Sequence, residues 1–246
     1  MRISRAAQEV AHRLRRNRGA VDTEPSWVVR DRLDGENMRR LVAFVLGSDD
    51  AAIDVGAHRG SLLAEICRVA PTGRHIAFEP LPNLAAYLRE KFPQVTVHEI
   101  AAWNQPGEAT FNRVRAAEGW SGLKFRPLPG DLEPDLEEIT VRLGRLDDLV
   151  DPDAPPRLIK IDVEGAERQV LEGALRTLVK FHPTVIFEHG SGSAEHFGTS
   201  PGDMHRLLTD EARMRIFDLD GGGPYSRGDF ERVFSTAERV NFVAKP

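Results

Sequence analysis

The chain has 246 residues, which is enough for one sizeable α/β domain with its own hydrophobic core. A net charge of −5 gives no general electrostatic support for a nucleic-acid partner. No apolar run is long enough for a membrane span, and a single cysteine, Cys67, excludes an internal disulfide, so we expect a cytoplasmic protein. The arginine-rich segment 1–18 lacks the apolar stretch of a secretory signal; an amphipathic helix or an organellar transit peptide remain its two interpretations.

The hydrophobic pattern predicts an N-terminal helical part followed by alternating strands and helices. The predicted helices span 1–18, 37–46 (capped at 34–36), 61–69, 82–91, 166–180 and 202–210. The predicted strands span 51–55, 75–78, 95–101, 158–161, 184–187, 215–219 and 240–243, with possible extra strands at 109–115 and 140–143. The last two strands are joined by the glycine turn 221–223 without an obvious full helix, which suggests that the terminal strand is antiparallel.

This alternation predicts an α/β fold, a mostly parallel Rossmann-like sheet covered by helices on both faces. The boundary near Gly47 divides an N-terminal helical extension, residues 1–47, from a main domain, residues 48–246. The extension is expected to act as a lid, an acceptor contact or a dimer contact. A Gly- and Pro-rich loop at 116–134 has a length that is typical of a functional or a disordered segment.

A glycine turn follows the first strand and indicates a cofactor site at the carboxyl end of the sheet. A dinucleotide fingerprint would need glycine at positions 56, 58 and 61, but the chain has Gly56, His58 and Ser61. The spacing from Asp54 through Gly56 to Gly60 is that of a looser turn, which suits S-adenosylmethionine because this cofactor has no pyrophosphate.

Further residues extend this predicted site along the sheet. Glu79 ends the second strand, about 19 residues after Gly60, where an acid fits two ribose hydroxyls; the alternative is a solvated acid before Pro80. Ala102 leaves room for an adenine ring. Trp103 either stacks on that ring or covers the cleft, or else is a plug in the core or surface.

Carboxylates also crowd the end of the strand at 158–161. Asp162 lies at the strand end, where a reacting group is expected, while Glu167 in the first helical turn has capping as its alternative. Lys160, a charge inside an apolar strand, is expected to lie at an edge or pair with an acid. The next strand ends on Glu188 and His189, and this imidazole is either a general base or a structural histidine.

On these residues the chain resembles the FkbM-type S-adenosylmethionine-dependent methyltransferases. The resemblance is carried by Ile53–Gly60, Phe78–Pro80, Ala101–Gly107, Leu146–Leu149 and above all Ile159–Glu167. It implies the class I methyltransferase fold with seven strands and O-methylation of a hydroxyl on a sugar or natural product. The implied cofactor-binding residues are Asp54, Gly56, Ala57, His58, Gly60, Glu79, Pro80, Ala102, Trp103 and Asp162.

Ser121 and Glu164 are the expected acceptor contacts. Family members often carry two serines in the loop that includes Ser121, but Gly122 replaces the second one here, which leaves the role of Ser121 open. Arg113, Arg115, Lys124 and Arg126 suit either an anionic acceptor or a solvated loop.

The predicted reaction aligns the acceptor hydroxyl with the S–CH3 bond and removes its proton with a base, Asp162 or His189. A variant uses a divalent cation, foremost Mg²⁺, held by Asp162, Glu188 and His189. The partner is a small hydroxylated acceptor, with a homodimer as a further possibility. The alternatives are a nicotinamide-dependent oxidoreductase, against which the missing dinucleotide turn speaks, and a non-catalytic scaffold.

Overall fold

The computed structural model describes residues 26–115, 118–125 and 135–246. The predicted helix at 1–18, the break at 19–25 and most of the loop 116–134 lie outside these residues. The helices are α1 (Ser26–Val45), α2 (Ser61–Val69), α3 (Pro82–Lys91), α4 (Glu167–Glu172), α5 (Leu175–Phe181), α6 (Pro201–Arg206) and α7 (Arg227–Thr236). The strands are β1 (Ala51–Val55), β2 (Ile76–Phe78), β3 (Thr96–His98), β4 (Ala101–Ala102), β5 (Gly107–Val114), β6 (Leu136–Gly144), β7 (Pro156–Ile161), β8 (Thr184–Glu188), β9 (Arg215–Asp218) and β10 (Asn241–Lys245).

Seven strands form the main sheet in the order β3-β2-β1-β7-β8-β10-β9. The pairs from β3 to β8 are parallel, and β10 lies antiparallel to both β8 and β9. This arrangement confirms the predicted mostly parallel sheet with one antiparallel terminal strand. The chain leaves β1 toward β2 on one side and later returns through β7 on the other, so the sheet order reverses beside β1.

Helices cover both faces of this sheet. Ile53, Ile159 and Phe187 belong to a core shared with α4 to α7, whereas Ala52 and Leu158 pack with α1 and α2 on the opposite face. Since side chains alternate along a strand, the central strands are apolar on both faces. No helix among the described residues is both long and apolar enough to cross a membrane.

The two possible extra strands are present, and they build a separate three-stranded sheet in the order β4-β6-β5. The strand predicted at 95–101 is divided between the two sheets. Thr96–His98 pairs with β2, and Ala101–Ala102 pairs with β6. The small sheet thereby places its inner residues beside the carboxyl end of β2.

Helix α1 extends back to Ser26, so the predicted cap at 34–36 is wrong. Asp34 is buried in the middle of the helix, where its carboxylate accepts hydrogen bonds from Arg30 (Nε, 2.8 Å) and Asn241 (Nδ2, 3.0 Å). This acid joins α1 to β10 instead of starting a helix.

Two further predictions about helices need correction. The connection from β9 to β10 contains α7, whose N-cap Ser226 accepts a hydrogen bond from the backbone N–H of Asp229. The helix predicted at 166–180 is broken between α4 and α5 at Gly173, where an added Cβ would lie 2.1 Å from the carbonyl oxygen of Trp103. A close backbone approach therefore interrupts the helical pattern.

Candidate active site

A cavity of about 240 Å³ opens at the carboxyl ends of β1, β2 and β7, beside the point where the sheet order reverses. Such crevices are the usual ligand sites of open α/β sheets. The predicted site residues that line it are Asp54, Gly56, Ala57, His58, Glu79, Pro80, Ala102, Ser121, Asp162 and Glu164. The predicted residues outside its lining are Gly60, Trp103, Glu188 and His189.

The glycine turn leaves no room for side chains at its two glycines. Gly56 has φ +74°, and an added Cβ would lie 2.0 Å from the carbonyl oxygen of Asp162. Gly60 has φ +71°, and its added Cβ would lie 2.5 Å from the ring of Phe92. Gly56 thus brings β1 and β7 together at the cavity, whereas Gly60 serves packing against the end of α3.

A buried ion cluster forms the floor of the cavity. Asp54 and Lys160 occupy paired positions on β1 and β7, and the Lys160 Nζ lies 3.3 Å from Asp54 Oδ1 and 3.7 Å from Asp162 Oδ2. The same ammonium donates a 3.0 Å hydrogen bond to the Gly56 carbonyl. Burial raises the pKa of Asp54, and the charge of Lys160 opposes this shift.

Glu79 connects the ends of β1 and β2. Its carboxylate accepts hydrogen bonds from the backbone N–H of His58 (Oε2, 2.8 Å) and of Leu81 (Oε1, 3.0 Å). Burial raises the pKa of this carboxyl to about 7, although both hydrogen bonds favour the charged form. Glu79 therefore holds the glycine turn and faces the cavity at the same time.

The acids that follow Asp162 have separate roles. Glu167 is buried, and its Oε1 accepts hydrogen bonds from the N–H groups of Val163 (3.0 Å) and Gly165 (3.1 Å), so it holds the turn that precedes α4. Burial raises its pKa to about 7. Glu164 has φ +63°, a conformation that non-glycine residues rarely adopt, and it lines the cavity.

The segment 118–123 also lines the cavity, through Glu118, Gly119, Ser121 and Leu123. Ser121 is buried, and its Oγ accepts a 3.0 Å hydrogen bond from the N–H of Val114. Glu118 accepts hydrogen bonds from Asn83 (2.8 Å), Arg113 (3.1 Å) and Arg59 (3.2 Å). Burial opposes ionisation of Glu118, but these partners outweigh it and lower the pKa of the carboxyl.

The sequence interpretation missed Glu118 and the contribution of α1. Glu118 carries no local signal, because two of its partners, Asn83 and Arg59, lie 35 and 59 positions away in sequence. From α1, Gly35, Met38 and Arg39 line the cavity. The only signal for them was the general expectation that the N-terminal helices contact the acceptor.

The loop cations expected to suit an anionic acceptor have protein partners. Arg113 and Arg115 pair with Glu137 at 3.4 and 3.2 Å, and Lys124 donates a 2.6 Å hydrogen bond to the carbonyl of His196. Arg126 lies outside the described residues.

His189 lies away from the cavity. Its side chain is 1% exposed and packs between the rings of Phe230 and Phe234, with centroid distances of 5.7 and 4.8 Å. Neither ring nitrogen has a hydrogen-bond partner among the described residues, and burial lowers the pKa of the imidazole to about 3. This surrounding corresponds to the structural alternative and gives the imidazole no path to an acceptor proton.

The predicted metal ligands and the predicted aromatic cover also need correction. Within the described parts of the chain, no three His, Cys, Asp or Glu side chains are grouped to hold a metal ion, so Asp162, Glu188 and His189 do not form the expected cluster. Trp103 contacts Phe197, with ring centroids 6.1 Å apart, rather than the cavity.

Comparisons with known proteins agree with this geometry. The model of the methyltransferase FkbM domain matches residues 54–215. The chain is similar to the hexuronic acid methyltransferase AglP of Haloferax volcanii, with 26% identity over 198 residues, 78% of this chain and 74% of the relative. It is also similar to the 2-O-methyltransferase NoeI of Sinorhizobium fredii, with 28% identity over 58% of this chain and 64% of the relative.

A solved structure of an FkbM methyltransferase from Methylobacillus flagellatus shares the fold, with a TM-score of 0.50 and 18% identity. The match covers 81% of this chain but spans less than half, 44%, of that protein. The seven-stranded sheet is thus the class I methyltransferase fold, and because the family model covers well over half of the sequence, the chain belongs to the FkbM methyltransferase family.

Proposed function

We propose that this protein is an S-adenosylmethionine-dependent O-methyltransferase that acts on a hydroxyl of a sugar or a related natural product. The observation that carries the proposal is the cavity at the ends of β1, β2 and β7, lined by Asp54, Glu79 and Asp162 beside a turn that lacks the dinucleotide fingerprint. The two curated relatives are named for methylation of a hexuronic acid and for 2-O-methylation, which supports a sugar acceptor.

The chemistry of the lining residues fits the cofactor. Glu79 offers carboxylate oxygens for ribose hydroxyls, and Ala102 leaves space for the base. The negative charges of Asp54 and Asp162 would stabilise binding of the cationic amino group and sulfonium of the cofactor. Lys160 holds both carboxylates in place. When bound, S-adenosylmethionine supplies a methyl group already activated on a sulfonium.

Other residues of the cavity are proposed to remove the hydroxyl proton, contact the acceptor and exclude water. Asp162 is the proposed base for the hydroxyl proton, because its side chain is 24% exposed and lines the cavity, unlike buried His189. Glu164 and Ser121 are the proposed acceptor contacts. The segment 118–123, tied down by Glu118, shields the site from water.

The N-terminal extension, residues 1–47, is proposed to complete the site of the domain at 48–246. Helix α1 supports this role, since its residues Gly35, Met38 and Arg39 line the cavity. Met38 also packs in the core on this face of the sheet. A lid or dimer role for the extension remains a separate proposal.

Isothermal titration with S-adenosylmethionine and S-adenosylhomocysteine tests the cofactor, with NAD as the control. We expect micromolar binding of the first two and none of NAD. Mass spectrometry then follows a gain of one methyl group on hexuronic acid glycosides and neutral hexosides, with and without Mg²⁺. Binding of NAD alone would favour the oxidoreductase, and a folded protein that binds none of the three would favour a scaffold.

A further inference from the structure

Helix α1 places one arginine side chain, Arg39, in the lining of the cavity. Arg39 is exposed on α1 and lines the cavity beside Ser61 and Leu62, the first residues of α2. No hydrogen bond or ion pair joins it to another residue in the part of the chain that the structure describes. The charge of Arg39 contributes to lowering the pKa of Glu65, but the Glu65 carboxylate already accepts hydrogen bonds from Arg68 at 2.5 and 2.9 Å.

The other charges of the cavity make this arginine unusual. Five carboxylates line the cavity: Asp54, Glu79, Glu118, Asp162 and Glu164. The second cationic side chain of the lining, Lys160, is committed to Asp54, Asp162 and the Gly56 carbonyl. A ligand with a carboxylate would be repelled by this surface unless a free cation meets it. Among the described lining residues, Arg39 is the guanidinium that can do so.

We propose that Arg39 binds a carboxylate of the ligand at the α1 side of the cavity. The proposal rests on the proposed function, which supplies two sources of this group: the methionyl part of the cofactor and the carboxylate of a hexuronic acid acceptor. The methionyl carboxylate is the expected source, because Arg39 lines the cavity together with Gly56 of the glycine turn and Ser61 at the start of α2, and its charge acts on Glu65 of the same helix. A guanidinium suits this task, since it can donate two parallel hydrogen bonds to a carboxylate.

The chain offers a matched control on the same helix. Arg40 is the next residue, is also exposed, and is absent from the cavity lining. Its guanidinium donates to Asn37 Oδ1 (2.9 Å) and Glu36 Oε2 (3.3 Å). Arg40→Ala therefore removes the same charge from the same helix without changing the cavity.

The test is titration of Arg39→Ala, Arg39→Lys and Arg40→Ala with S-adenosylhomocysteine and with 5′-methylthioadenosine, which lacks the amino-acid part. We expect Arg39→Ala to weaken S-adenosylhomocysteine binding about tenfold and to leave 5′-methylthioadenosine unchanged. Arg39→Lys restores part of the affinity because it keeps the charge but loses the bidentate geometry. Arg40→Ala matches the wild type with both ligands.

A second arm distinguishes the acceptor. If S-adenosylhomocysteine binding is unchanged but KM for a hexuronic acid glycoside rises about tenfold, with the neutral hexoside unaffected, the carboxylate belongs to the acceptor. If Arg39→Ala changes neither ligand affinity nor either KM, the inference is overturned while the proposed function stands. If the wild-type protein binds neither adenosyl ligand, the proposed function itself fails.

Discussion

Two neighbouring parallel strands, β7 and β8, end in acids at the same edge of the sheet but in opposite surroundings. The acid after β7, Asp162, faces the cavity beside the glycine turn, and its side chain is 24% exposed. The acid that ends β8, Glu188, is 6% exposed and is followed by the buried imidazole of His189. A strand-end acid is therefore not sufficient evidence for a reactive group.

The neighbouring elements explain the difference. β7 pairs with β1 at the point where the sheet order reverses, so the connections that leave the two strands diverge and open a crevice. β8 pairs instead with antiparallel β10, and Phe230 and Phe234 of α7 pack on His189. The end of β8 is closed by the element that precedes the last strand.

The largest expected effect is on the rate of methyl transfer, and it distinguishes the end of β7 from the end of β8. We expect Asp162→Asn to lower kcat for methyl transfer about 10²–10³-fold, because the acceptor hydroxyl loses its base. The measurement is steady-state kinetics by mass spectrometry, with S-adenosylhomocysteine affinity measured by titration on the same variant. An unchanged kcat with weaker S-adenosylhomocysteine binding would remove Asp162 as the base and leave it a cofactor contact alone.

Glu188→Gln is the matched control for this substitution, since it neutralises the acid of the neighbouring strand outside the cavity. Its kcat should stay within about twofold of the wild type. A comparable loss of activity in a variant with an unchanged melting temperature would contradict the contrast between the two strand ends.

A second comparison concerns two buried carboxyls with similar pKa values. Glu79 and Glu167 both have a pKa raised to about 7 by burial, and both accept two backbone hydrogen bonds, but only Glu79 lines the cavity. We expect Glu79→Gln to weaken S-adenosylhomocysteine binding roughly 10–100-fold, through loss of ribose contacts and of one turn hydrogen bond. Titration at pH 7.5 measures this.

Glu167→Gln provides the control. A single oxygen of Glu167 accepts both of its backbone hydrogen bonds, so the amide oxygen of glutamine can keep them. S-adenosylhomocysteine affinity should therefore stay within about twofold of the wild type. Equal losses in the two variants would mean that Glu79 acts through the fold alone.

The errors of the sequence interpretation at β8 have one common cause. The glycine turn and the strand-end acids depend on local patterns, and the structure places Gly56, Glu79 and Asp162 at the cavity. The burial of His189 depends on α7, a helix about forty residues later that the sequence interpretation did not recognise. Ser226 and Asp229 carry the capping signal of α7 in the sequence, but the nearby glycine turn at 221–223 by itself predicts a short connection.

Other features carried no local signal at all. The Glu118 network includes partners 35 and 59 positions away in the chain, and Arg39 lines the same cavity as Gly56 of the glycine turn. Only the three-dimensional packing of α1 on α2 and of the small sheet on the large one brings them to the cavity. Hydrophobic periodicity predicts elements, not these tertiary approaches.

The third prediction concerns how the buried imidazole of His189, after β8, changes the free energy of unfolding with pH. Burial lowers the pKa of His189 to about 3, so as pH falls below the ordinary value of 6.5 the unfolded chain binds a proton that the folded chain does not. Stability is therefore lost progressively from pH 6.5 toward pH 3. We expect His189→Leu to reduce the loss between pH 7.5 and pH 5 by about 2 kcal/mol in urea unfolding.

The control is Ile186→Val, a buried substitution that removes no titratable group and should therefore leave that pH dependence unchanged. The His189→Leu variant should also retain methyl transfer within about twofold, since the imidazole lies outside the cavity. A strong loss of kcat with an unchanged melting temperature would return His189 to the list of candidate bases.

The smallest expected effect concerns two adjacent residues at the end of β4, Ala102 and Trp103. Ala102 lines the cavity, whereas the Trp103 ring packs on Phe197. Trp103→Phe should therefore change S-adenosylhomocysteine affinity by less than about twofold, because the aromatic contact lies outside the ligand site. Ala102→Val, which adds volume inside the cavity, should weaken binding more than Trp103→Phe in the same titration. The reverse order would place the indole, rather than the small side chain, against the adenine.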